Sequence, residues 1–192
     1  MQLILEEIRR GFDGALAFLL NRPDAADRFD RSLTGFFYSF LAPLLALPLH
    51  MITTSVEITL PDGTTGAAAD MDLGFFVLRW VTFPLLMLPL AMLINRKAQV
   101  LSFIIGWNWS NLIIEIISLL PVMLMASAAA SLGLIQAVLL ILGVILILYR
   151  WRIAKQLLEV NGWTAAAMVV IDMAGTYLVI IAAGGLTPPA AG

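Results

Sequence analysis

Residues 106–120 read GWNWSNLIIEIISLL. The run is oily enough to lie in a bilayer, yet it carries Asn108, Asn111, Glu115 and Ser118. Spacings of 3, 4 and 3 put all four on one face of a helix, which repeats about every 3.6 residues. The remaining faces are Ile, Leu and Trp. Lipid offers no hydrogen-bond partner, so a single polar stripe on an apolar helix has to turn toward other helices. The stretch reads as a helix inside a membrane bundle.

The rest of the chain supplies the other helices. Of 192 residues, 61% are hydrophobic and only 12% charged, with a mean hydropathy of +0.96. A soluble domain carries roughly a quarter charged residues. Half that coat marks a polytopic membrane protein. A spanning helix needs about 20 mostly apolar residues, and five segments qualify: 34–54, 73–94, 98–125, 132–150 and 163–185. The fold class is therefore all-α, a transmembrane bundle of five helices. The third segment is long for one span and should tilt or emerge near Ala126.

Residues 1–32 form a separate unit. Ile4, Ile8, Phe12, Leu16 and Leu19 recur at helical spacing, with Glu6, Arg10 and Asp13 opposite. This amphipathic helix either lies on the membrane surface or packs on the protein's own cytoplasmic loops. Asn21-Arg22-Pro23-Asp24 should end it. MQLILEEIRR does not read as a signal peptide, because Glu6 and Glu7 stand where a basic region belongs. Residues 33–185 are the membrane domain, and 186–192, in the tail GGLTPPAAG, are expected to be disordered.

Charge placement sets the expected orientation. Of eleven Lys and Arg, five precede the first span (Arg9, Arg10, Arg22, Arg28, Arg31). Arg96 and Lys97 lie between spans two and three, and Arg150, Arg152 and Lys155 between four and five. The positive-inside rule then puts the N-terminus in the cytoplasm and the C-terminus outside. Trp151 and Trp163 suit an aromatic belt at the cytoplasmic face. The outer loop SVEITLPDGTTGAAADMD has a Pro-Asp-Gly turn signal, so a small hairpin or irregular loop is expected. Its acids match no calcium-loop spacing. PLLALPL at 43–49 and PLLMLPL at 84–90 should kink spans one and two through their prolines.

Arg79 alone breaks the charge rule. With a rise of about 1.5 Å per residue, Glu115 lies roughly 24 Å above the cytoplasmic boundary and Arg79 roughly 9 Å below the outer one. Those levels coincide, and His50 reaches a similar height. An Arg79–Glu115 ion pair with His50 or Asn111 nearby is therefore expected. It would act as helix-packing glue, as a substrate or ion site, or in lipid or partner recognition. Asp172 in span five has no basic partner evident at its depth. It would couple to protons or, as the neutral acid, hydrogen-bond to Asn108. Thr176 shares its face, and Gly175 offers close approach to a neighbour.

Enzyme templates find no match. Absent cysteine removes thiolate chemistry and disulfides, and one histidine cannot ligate haem twice. No His/Asp/Glu group has metal-ligand spacing, no glycine loop cradles phosphate, and no basic–aromatic surface suits nucleic acid. No cofactor and no catalytic residue is expected.

LIQAVLLILGVILILYRWRIAKQLLEVNGWTAAAMVVI, residues 134–171, carries a long apolar helix into a basic extension, with Asn161-Gly162 as a helix stop. With RFDRSLTGFFYSFLAPL at 28–44 and five spans, this layout resembles the bacterial form of the Yip1 family of small five-helix membrane proteins. The resemblance implies a bacterial inner membrane. It transfers no site residue. The longer cytoplasmic region of eukaryotic members, tied to Rab GTPases, has no counterpart here.

Two functions stay open. One is a non-enzymatic scaffold or complex subunit, oligomeric or bound to other membrane proteins and in contact with the lipid bilayer. The other is a small transporter or channel component with a polar path through Glu115, Arg79 and Asp172.

Overall fold

The computed structural model describes residues 2–59, 65–67, 73–127 and 130–182. Helix α1 (Gln2–Leu19) is followed by a 3-10 turn at Ala25–Arg28, then by α2 (Leu33–Ser39) and α3 (Leu41–Ser55). Strands β1 (Glu57–Thr59) and β2 (Thr65–Ala67) form one antiparallel hairpin, pairing Glu57 with Ala67 and Thr59 with Thr65. Helices α4 (Leu73–Leu93), α5 (Val100–Ala126), α6 (Leu132–Leu157) and α7 (Gly162–Ala182) complete the bundle. The Pro-Asp-Gly turn and the tail at 186–192 lie outside the described residues.

Five helical stretches are long and apolar enough to cross a membrane: Leu33–Ser55, Leu73–Leu93, Lys97–Ala126, Leu132–Leu157 and Gly162–Val179. They coincide with the five expected segments. The first is two helices. Pro43 has no N–H to bond the carbonyl of Ser39, and its ring crowds that carbonyl. The chain therefore breaks at Phe40, and Pro43 falls in the first turn of α3, where proline is tolerated. Pro48, Pro84 and Pro89 sit inside helices.

Helix α5 is the axis. From Phe103 to Glu115 all its residues except Asn111 are buried, as suits a helix packed on every side. It touches α1, α2, α3, α4 and α6. Phe83 of α4 packs 4.3 Å from the Trp107 ring, and Phe103 lies 5.3 Å from the same ring. Close ring packing of this kind matters here because lipid is as apolar as leucine, so burial alone stabilises little and fit between helices has to supply the rest.

The N-terminal helix packs on the protein itself, against α5 and α6 of the bundle and against the 25–29 turn that follows it. Its buried face is Gly11, Gly14, Ala15, Ala17 and Phe18. Gly11 lies directly on the Trp109 indole, and a Cβ at Gly14 would meet the Phe29 ring at 2.8 Å. The hydroxyl of Tyr149 on α6 donates to the Ala15 carbonyl at 2.9 Å. The larger apolar residues flank this small-residue stripe, and Ile4 and Leu5 remain exposed. Asn21 takes a left-handed φ of 54°, and the Arg22 N–H returns to the Ala17 carbonyl at 2.9 Å, ending α1 where expected.

Local hydrogen bonds order the link to α2. Arg28 donates to Asp24 at 2.6 Å, holding that carboxyl below its ordinary pKa, and the Ser32 N–H does the same for Asp30 at 2.9 Å. Ser32 caps α2 by accepting from the Gly35 N–H.

Helices α6 and α7 form a hairpin whose turn corrects one expectation. Asn161-Gly162 does not stop α6. Glu159 supplies the left-handed residue (φ 53°), and Asn161 caps α7 by accepting from the Thr164 N–H at 2.9 Å. Gln99 donates to Glu159 at 3.2 Å, so the 94–99 and 158–161 turns share one end of the bundle.

Candidate functional site

Arg79 stands on the second turn of α4, and its Nη2 pairs with Glu115 Oε1 on α5. Matching depths brought the two residues to one level. The Glu115 side chain is almost fully enclosed, whereas that of Arg79 is 33% exposed, which leaves it partly hydrated. The expected ion pair forms.

A second pair lies beside it. Arg150 Nη1 donates to Asp172 Oδ2 at 2.8 Å, and its Nη2 donates to Asn111 Oδ1 at 3.0 Å. The guanidinium carbon sits 4.3 Å from the Trp107 ring centre. One side chain on α6 thus joins α5 and α7 through both prongs of its fork and through its flat face. This corrects two sequence expectations. Asp172 does have a basic partner, and Arg150 is not a free cytoplasmic charge.

Geometry explains the second pair. Arg150 stands eight residues before Leu158, and Asp172 ten after Gly162, about 12 and 15 Å from the shared turn. Helical side chains lean toward their own N-terminus. In this hairpin that sends Arg150 away from the turn and Asp172 toward it, so their tips meet. Arg150 and Asp172 each stand eleven residues from Asn161, and that symmetry was the signal available in the sequence.

The four charges enclose a cavity of about 60 Å³, lined also by Trp80, Trp107, Asn111 and Thr176. A water needs at least about 10–15 Å³ and two to four polar partners. The space meets both conditions for more than one water. Trp80 is buried, and its Nε1 has no hydrogen-bond partner among the described residues. The two arginines balance the two carboxylates, so the cluster has no net formal charge. No family model, curated protein or solved structure matches the chain.

The remaining stripe residues scatter. Asn108, fully enclosed, donates to Ser39 Oγ at 3.0 Å and does not reach Asp172. Ser39 in turn donates to the Phe36 carbonyl at 2.7 Å, at the break that Pro43 imposes. Ser118 is half-buried and does not line the cavity. The His50 ring lies tilted against Phe76 at 4.8 Å, and Phe76 lies 6.0 Å from Trp80, so the histidine is one aromatic layer behind the cavity wall. Asn108 thus binds α2 to α5, Asn111 joins α5 to α6, and Glu115 joins α5 to α4. Gly175 has Leu86 of α4 at 3.5 Å from a would-be Cβ, ordinary contact with no need for glycine. Arg150, Trp107 and Trp80 are the site residues that the polar-stripe pattern did not single out.

Proposed function

We propose that the protein is a non-enzymatic scaffold, or a subunit of a larger complex, in a bacterial inner membrane, with its N-terminus cytoplasmic. One observation carries this. Each intramembrane charge at the cavity is bonded to a partner on another helix: Arg79 to Glu115, and Arg150 to Asp172 and Asn111. Charges so engaged fix the packing of α4, α5, α6 and α7. The helical layout that resembles the Yip1 family fits the same role. Helix α6, with the highest mean hydropathy of the spans, 2.7, turns most of its surface outward, a face suited to lipid or to another membrane helix.

A second function, a small transporter or channel component, has its own support. Glu115, Arg79 and Asp172 line one cavity large enough for water. Proteoliposome flux of protons and small solutes, with wild type and Glu115→Gln, separates the two. The scaffold predicts no flux above empty vesicles from folded protein. Flux that disappears in Glu115→Gln overturns it.

A further inference from the structure

Arg152 stands two residues beyond Arg150, about 200° further round α6, and so faces away from the charge cluster. There a groove of about 590 Å³ opens between α5, α6 and the end of α1. Leu142, Ile145 and Leu148 of α6 line it with Ile117 and Leu120 of α5, and Arg152 is the one charged residue in its lining among the described residues. The volume is that of a ligand pocket, about 300–1,000 Å³.

Its dimensions and polarity select an occupant. The α6 lining runs from Leu142 to Arg152, ten residues, a rise of about 15 Å. That is half of the roughly 30 Å hydrocarbon core, the depth of one leaflet. Along α6 the apolar wall is the length of a leaflet with the cation at its end, and Ile117 and Leu120 of α5 extend it on the side away from Arg152. Arg152 is half-buried and gives one long hydrogen bond, 3.5 Å, to the carbonyl of Leu19, which also lines the groove. A guanidinium has five N–H donors, so most of the fork faces elsewhere. Its geometry matches two phosphate oxygens.

We propose that this groove binds an anionic phospholipid, one acyl chain lying along α5 and α6 and the phosphate held by Arg152. Free phosphate would engage the arginine but leave the apolar wall unfilled, so the lipid is the complementary ligand. The inference stands whether the polar cavity is structural or conducting.

Native mass spectrometry of the detergent-purified full chain tests it, titrating phosphatidylglycerol and phosphatidylcholine with identical chains. One arginine at the headgroup level should favour the anionic lipid about fivefold. Arg152→Gln should abolish the preference and Arg152→Lys should keep most of it. Ile145→Trp, which puts an indole across the middle of the groove, should lower binding of both lipids at an unchanged melting temperature. Equal binding of the two lipids by wild type overturns the proposal, as does an unaltered preference in Arg152→Gln. If Arg152→Gln does not fold, Ile145→Trp decides, and undiminished phosphatidylglycerol binding there is the refuting result.

Discussion

Arg150→Met removes three contacts at once while keeping most of the aliphatic stem. Lost are the 2.8 Å bond to Asp172, the 3.0 Å bond to Asn111 and the cation over Trp107. Asp172, only 6% exposed, is left as a buried carboxylate without its partner. Breaking a buried pair in this way costs about 3–5 kcal/mol, and a desolvated cation over an indole accounts for up to about 2 of that order. About 3–4 kcal/mol is the expected figure. Combining Arg150→Met with Asp172→Leu removes the orphan charge. The double variant should return to within about 1–2 kcal/mol of wild type, the remainder being the unpaired Asn111 amide. A double-mutant cycle by equilibrium unfolding in one detergent measures the coupling. Neutral hydrogen bonds between membrane helices average about 0.6 kcal/mol. A coupling at or below that value would refute charge pairing as what ties α6 to α7.

Arg79→Ala should also destabilise, by about 2–4 kcal/mol, because it leaves Glu115, whose side chain is only 7% exposed, without its partner; Glu115→Leu in the same chain should recover much of it. Equal melting of wild type, single and double variants would count against that pair. Gly11→Leu should cost about 1–3 kcal/mol by driving a side chain into Trp109. Hydrogen exchange should then speed up across Gln2–Leu19 while α4–α7 stay protected, and unchanged protection of α1 would show that it is not docked on α5.

Apolar length determined the five spans from the sequence, because backbone groups in lipid must bond within their own helix and about 20 oily residues leave no other solution. The spacing of Asn108, Asn111 and Glu115 and the matched depth of Arg79 were equally legible, since rise and turn are fixed by helix geometry. Side-chain allegiance was not. Asn108 could reach any neighbour at its level, and only the break at Phe40 put Ser39 beside it. The docking of α1 depended on Gly11, Gly14 and Ala15, whose small size carries no signal until Trp109 and Phe29 are placed against them. Arg150 is the sharpest case. Counted along the chain it belongs to a basic loop, but a long flexible stem lets a guanidinium at a membrane boundary turn either way. Tertiary structure decided the direction: α7 folds back to present Asp172, α5 presents Asn111 and Trp107, and together they offer Arg150 more than water does.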